Sequence, residues 1–213
     1  MRTRAYEALI LLARDVGEAD RFCVFFTREA GKQAARARGV RKLGSRIGGI
    51  LLPLRHVRLE ARESAAGWQI TSASDCGAPD AFSFLSFSRF SEGLELLLRL
   101  TEDDEALTGV FDLLLAFRDA CVRELPDPVL PFEYKLLHLL GFLPVTTEDT
   151  RFRTLSSLGR AFVHSCAADR LSFGELCVLP HGSGELRVFR NALLHDHLTR
   201  PLAAPGVTER LGR

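Results

Sequence analysis

The sequence predicts an α+β protein, a small all-β barrel followed by an all-α domain. Three observations predict it. The first eighty or so residues carry short runs of β-branched and aromatic side chains between glycine-containing turns. Past Cys76-Gly77-Ala78-Pro79-Asp80 the apolar period changes from two to 3.6. The charge divides near the same place. Residues 1–62 hold 14 Lys and Arg against 6 Asp and Glu, a balance of +8, whereas residues 63–213 hold 14 against 21, a balance of −7.

Tyr6 to Leu12 reads as a first strand and Arg21 to Thr27 as a second, with the polar turn Asp15 to Asp20 between them. Arg28-Glu29-Ala30-Gly31 is short enough for a hairpin loop in which Gly31 supplies a positive φ. Lys32 to Arg38 is a third strand, with Lys32, Ala34, Arg36 and Arg38 on one face. In the fourth, Leu54 to Arg62, Val57, Leu59 and Ala61 face one side and His56, Arg58, Glu60 and Arg62 the other. Trp68 to Ser72 is the fifth. Five short strands are the number for an OB-fold. The expected divisions are an OB-fold over 1–78, a helical domain over 79–200 and a loose tail over 201–213.

In the second part, Phe84, Phe87, Phe90, Leu94, Leu97 and Leu98 recur three or four apart, as on one face of a helix. Thr101-Glu102-Asp103-Asp104-Glu105 is expected to open the next helix, because acidic side chains favour a helix N-terminus. That helix continues through Leu107, Val110, Phe111, Leu114 and Leu115. A third runs over Phe132 to Leu140 and stops at Gly141 and Pro144. Thr146 to Arg153 reads as a polar stretch. A short helix over Leu171 to Leu179 and a last one from Leu186 to Leu198 follow.

Composition excludes several classes. With 46% hydrophobic and 26% charged residues, the chain is a folded protein rather than a disordered one. No apolar run approaches the ~18 residues of a membrane span, and the apolar stretch behind Met1-Arg2-Thr3-Arg4 is too brief for a signal peptide. A cytosolic, nucleoid-associated protein is expected. The five cysteines are odd in number and widely spread, which suits buried free thiols better than a disulfide framework.

No enzyme site stands out. In Gly39-Val40-Arg41-Lys42-Leu43-Gly44-Ser45 the lysine precedes the second glycine, so it does not meet the P-loop requirement. Gly-x-Ser-x-Gly is absent. His164, Cys166, Cys177, His195 and His197 could in principle bind metal. They lack paired ligand spacing, so no metal site is assigned.

The basic segment is the informative one. Residues 28–58 hold nine Lys and Arg against the single acid Glu29, with Gly39, Gly44, Gly48 and Gly49 between them. Converging cations neutralise phosphates, and glycines let backbone approach a ligand. The alternative is a solvated or anti-aggregation edge. Nucleic-acid binding is expected at Lys32, Arg36, Arg38, Arg41, Lys42 and Arg46. Phe22, Phe25, Phe26 and Trp68 could supply stacking surfaces or could be core.

With these residues the chain resembles the bacterial RecO family of recombination mediators. The resemblance runs through Glu7-Ala8-Leu9-Ile10-Leu11, Gly17-Glu18-Ala19-Asp20-Arg21, Phe26 to Lys32, Ala37-Arg38-Gly39-Val40-Arg41-Lys42, Ser45-Arg46 and Leu52-Pro53-Leu54. It continues through Pro131 to Pro144 and ends at Arg200-Pro201-Leu202. It implies an OB-fold and a helical domain. It also implies binding to single- and double-stranded DNA, annealing of complementary strands, and partnership with RecR and with the acidic tail of single-strand-binding protein. The joint task would be loading recombinase onto covered single strands. Many members carry cysteine pairs after the Leu-Gly-x-x-Pro segment. Here Val145-Thr146-Thr147-Glu148-Asp149 stands there, so zinc is not carried over.

The expected protein is thus a non-enzymatic DNA-binding mediator without a cofactor. A receptor for an acidic tail needs an apolar pocket rimmed by cations, and Arg118, Arg123, Phe132 and Lys135 are the candidates. The rivals are an OB-fold RNA-binding or ribosome-associated protein and a helical adaptor whose basic barrel only aids solubility.

Overall fold

A computed structural model describes residues 2–65, 67–77, 82–146, 148–168 and 170–195. The first part is a closed barrel of β1 (Thr3–Val16), β2 (Asp20–Thr27), β3 (Gly31–Ala37), β4 (His56–Ser64) and β5 (Gly67–Asp75), in the order β1-β2-β3-β5-β4. β1 closes onto β4, and only β3 with β5 is parallel. This is the expected OB-fold barrel.

Alternation builds it. In β4, Val57, Leu59 and Ala61 are buried while Arg58, Glu60 and Arg62 are exposed. Inward positions pair small with large side chains: Ala35 and Ala37 on β3 accompany Phe25, Leu59 and Ile70 in one core cluster. A narrow barrel fills by such interdigitation. The β2–β3 hairpin turns through Gly31, whose φ is +65°, and the Thr27 hydroxyl donates to the Gly31 carbonyl at 3.1 Å.

Two compact units divide the chain. Met1–Ala81 with Thr101–Leu115 form one; Phe82–Leu100 with Ala116–Arg213 form the other. The acidic stretch after α1 (Phe84–Leu100) therefore belongs with the barrel. Thr101 to Glu105 does not begin a helix. It lies along the start of β3, where Asp103 bridges to Lys32 in parallel fashion and the Asp104 N–H donates to the Lys32 carbonyl at 3.0 Å. The Gln33 amide donates to the Asp104 carboxylate at 3.0 Å. With the strap's backbone and carboxylates engaged by Lys32 and Gln33 on β3, α2 starts only at Val110 and runs to Val122. Gly31 makes the approach possible: a Cβ there would lie 1.7 Å from the Glu105 carbonyl oxygen.

The helical unit is organised around α3 (Val129–Leu139), buried on nearly every side from Val129 to Tyr134 and again at Leu136 and Leu137. Pro131 sits in its first turn, where a missing N–H costs nothing. Gly141 follows its C-cap with φ +77° and donates to the His138 carbonyl. Phe117 stacks between Phe90 at 5.6 Å and Phe132 at 4.1 Å. The stretch expected to be merely polar contains α4 (Thr150–Thr154), capped by Asp149, whose carboxylate accepts from the Arg151 N–H at 2.7 Å. α5 (Ser157–Ala167), α6 (Phe173–Cys177) and α7 (Ser183–His195) complete the unit. A buried ion pair, Glu133 with Arg190, joins α3 to α7, and the Tyr134 hydroxyl donates to the Leu186 carbonyl at 2.8 Å. The tail, His197 and the Arg200-Pro201-Leu202 motif lie outside the described residues. No helix among the described residues is long and apolar enough to cross a membrane.

Candidate nucleic-acid interface

Strand pairing assigns the outer barrel face row by row. Leu9, Phe26 and Lys32 are opposite one another across β1, β2 and β3; next come Leu12, Val24 and Ala34; then Arg14, Phe22 and Arg36. The first row is covered. Leu9 and Phe26 are fully buried although they alternate with the inward residues. Phe111 lies edge-on to His56, the β4 partner of Leu9, and Arg28 stacks over its ring at 4.6 Å. The second row is half-buried and the third is open.

Beyond β3 the chain forms a folded loop of 18 residues, 38–55, before β4. Val40, Leu51, Ile47 and Ile50 pack onto the barrel core. Polar anchors hold it at both ends. The Asp20 carboxylate accepts the Gly39 N–H at 2.8 Å and the Arg36 guanidinium at 2.8 Å. The Gly39 N–H first, and then Arg36, hold the Asp20 carboxyl below its usual range. Arg21 donates to the carbonyls of Gly48 at 2.8 Å and Leu51 at 3.1 Å, and pairs with Asp15 at 3.0 Å. Gly48 is required there, since a Cβ would lie 2.2 Å from the Val40 carbonyl oxygen.

This scaffold sorts the nine cations of residues 28–58, of which Arg58 is exposed on β4. Arg28 is bound to Glu7 and Asp112, and Arg55 lies 3.7 Å from Asp75. Lys32 shares the outer face with Arg36 but is withdrawn: its ammonium donates to the Thr101 carbonyl and pairs with Asp103 at 3.2 Å, and its side chain is only 14% exposed. Arg36 and Arg41 are exposed and oriented, Arg36 by Asp20 and Arg41 by Asp15 and the Gly17 carbonyl. Arg38, Lys42 and Arg46 are exposed and make no ion pair with any described residue. Of the six expected phosphate-binding residues, five thus lie at the end of β3 and on the loop that follows, and Lys32 lies apart under the acidic strap. Fully exposed Leu43 stands between Lys42 and Gly44.

Sequence reasoning did not single out Arg14 and Arg62, and of the four aromatics it left open between stacking and core, Phe22 is the one most exposed. Phe25 and Phe26 are buried, and Trp68 packs partly into the core. Phe22 is the one aromatic of the second strand that is exposed. The alternation of β2 held the signal, but Phe22, Val24 and Phe26 on one face look as apolar as Cys23 and Phe25 on the other.

The residues expected to capture a protein tail lie on or just past α2 and on α3. Phe132 is fully buried in the Phe90–Phe117 stack and cannot line a surface. Lys135 donates to the Cys166 carbonyl at 3.2 Å. Arg118 pairs with Asp119 and lies 5.6 Å from the Phe82 ring, while Arg123 is exposed just past α2. An apolar groove does exist elsewhere in this unit, about 390 Å³ between α4 and α7, with Leu155, Val188 and Phe189 in its lining beside Arg151.

Among the described residues no group of three or more His, Cys, Asp and Glu could hold a metal ion. Burial pushes the Cys166 and Cys177 thiols up to about 12, which disfavours the thiolate a metal requires. Four of the five cysteines are buried free thiols; Cys76 is exposed.

Residues 1–75 match the family described as "Recombination protein O N terminal". Curated relatives extend the similarity, each bearing the name DNA repair protein RecO. The chain is 32% identical to that of Pelotomaculum thermopropionicum over 182 residues, covering 79% of this chain and 70% of the relative. It is 35% identical to that of Heliobacterium modesticaldum, covering 68% and 54%. Against that of Anaeromyxobacter sp. strain K it is 32% identical, covering 96% and 95%.

Proposed function

The chain belongs to the RecO family of DNA repair proteins, and from that membership we propose that it is a non-catalytic mediator acting on DNA strands. It binds single- and double-stranded DNA through the phosphates, brings complementary strands together, and helps load recombinase onto single strands covered by single-strand-binding protein. One observation carries the reading: Arg38, Lys42 and Arg46 stand exposed, with no ion pair to any described residue, on a loop anchored by Asp20 and Arg21, beside the oriented Arg36 and Arg41. A loop whose backbone is already anchored loses less entropy when its cations meet phosphate, and displaced counterions favour binding whatever the sequence. Annealing needs the mutual repulsion of two strands screened while their bases stay free to pair. Contacts restricted to phosphate meet both needs.

RecR and the acidic tail of single-strand-binding protein are the proposed protein partners. The α4–α7 groove, with its apolar lining, suits the apolar end of such a tail better than the buried Phe132 does. Annealing of a labelled complementary pair tests the function. The protein should accelerate it, and the combined Arg38→Glu, Lys42→Glu and Arg46→Glu variant should lose the acceleration. Equal acceleration by that variant would remove the loop from the mechanism. Tighter binding to structured RNA than to single-stranded DNA would favour an RNA-binding role instead.

A further inference from the structure

The open row of the barrel face continues past β3. Arg14 on β1, Phe22 on β2 and Arg36 on β3 lie side by side; Gln69 on β5 is opposite Arg36, and Arg62 on β4 is opposite Gln69. Phe22 is 39% exposed, and its face is opposite the core-facing Cys23 and Phe25. A lone exposed aromatic is ordinary surface. This one has an arginine on each flanking strand, at positions about 10 Å apart by strand spacing, and the half-buried apolar row Leu12, Val24 and Ala34 beside it. Arg14 makes no ion pair with any described residue, and the nearby acids Asp15 and Asp20 are engaged by Arg21, Arg41 and Arg36. The Phe22 ring lies outside the buried barrel core, and the acidic strap is docked at the Lys32 end of β3, away from Phe22.

We propose that Arg14, Phe22 and Arg36 form a base-stacking subsite for one unpaired nucleotide of a single strand. The base lies on the Phe22 ring, and the guanidiniums of Arg14 and Arg36 meet the flanking phosphates. In a duplex both faces of each base are covered by its neighbours, so the ring has nothing to take there. The basic loop therefore serves either form of DNA, and Phe22 sets the preference for single strands. The subsite rests on the DNA-binding reading above.

Anisotropy with labelled oligonucleotides tests it. Phe22→Ala should weaken single-strand binding about tenfold, within the range for a base on an aromatic ring, and leave duplex binding within twofold. Phe22→Leu keeps apolar bulk but no ring and should show the same loss, which separates stacking from stability. Phe22→Trp should restore affinity, and its emission should be quenched by oligonucleotide beyond any change in wild type, where Trp68 is the sole tryptophan. A strand of abasic residues, equal in charge, should bind wild type no better than the intact strand binds Phe22→Ala. Wild type that binds single strands while Phe22→Ala binds them equally, or loses single strand and duplex alike, overturns the subsite. Wild type that binds neither polyanion at low salt overturns the DNA-binding reading itself.

Discussion

Replacing Arg21 by alanine should loosen the basic loop without removing a cation that touches DNA. Arg21 is 14% exposed and spends its guanidinium on Asp15 and on the carbonyls of Gly48 and Leu51. Hydrogen bonds to a charged group contribute about 1.5–3 kcal/mol each, and an orphaned buried carbonyl costs about 1–3 kcal/mol. The Asp15 pair adds less than about 1 kcal/mol, since Asp15 is half exposed. These terms overlap, so the net loss should be about 3 kcal/mol. Urea unfolding of the full chain measures it, followed through the single Trp68, which packs against the barrel core. Arg21→Lys keeps the charge but not the planar fork that reaches two carbonyls, so it should recover less than half the loss. Oligonucleotide affinity should fall several-fold in both variants, because an unanchored loop must be ordered on binding. A loss below about 1 kcal/mol, with unchanged affinity, would refute the idea that this clamp holds the interface.

Four further outcomes are expected. Burial pushes the Glu133 carboxyl up to about 7 against the opposing pull of Arg190. A carboxyl raised above its unfolded value of 4.5 contributes stability fully below that value and loses it as pH rises through about 7. The thermal midpoint should therefore fall between about pH 5 and pH 8, and Glu133→Gln should flatten that slope. Arg190→Ala should cost about 3–5 kcal/mol by stranding a buried carboxylate, as read by chemical denaturation. Gly93→Ala should cost about 1–3 kcal/mol, because the added methyl would meet the Phe117 ring at 2.6 Å and the Phe132 ring at 3.0 Å. Elemental analysis should find no stoichiometric zinc, and a chelator should leave the thermal midpoint unchanged.

The barrel was legible because its strands alternate. Val57, Leu59 and Ala61 can only face inward while Arg58 and Glu60 face out, and Gly31 marks its turn. The helices were legible where the apolar stripe is long, as in α1. They were missed where the signal is a cap. Asp149 before α4 and Ser156 before α5 both accept backbone N–H groups, and Asp149 stands in the polar stretch Thr146 to Arg153, whereas the short helix expected over Leu171 to Leu179 contains α6. The strap at Thr101 to Glu105 was misread for another reason. Acidic residues suit a helix N-terminus, but here Asp103 and Asp104 meet Lys32 and Gln33, distant in sequence, and no local pattern carries that information. At the candidate interface the sequence identified the cations but not their obligations. Only strand pairing shows that Lys32 is tied to Asp103 while Arg38 is not. Phe22 could not be told from Phe25 and Phe26 in the sequence because both faces of β2 are apolar, one turned to the core and the other partly to solvent.

The central claim is that Arg38, Lys42 and Arg46 meet phosphate. Its most direct measurement is the salt dependence of single-strand affinity in wild type and in the combined Arg38→Ala, Lys42→Ala and Arg46→Ala variant. Each phosphate neutralised on a single strand contributes about −0.7 to the slope of log affinity against log salt. Removing three such contacts should make the slope shallower by about 2, and binding should weaken alike across sequences. Identical slopes in the two proteins would contradict the account and place the phosphate contacts off this loop.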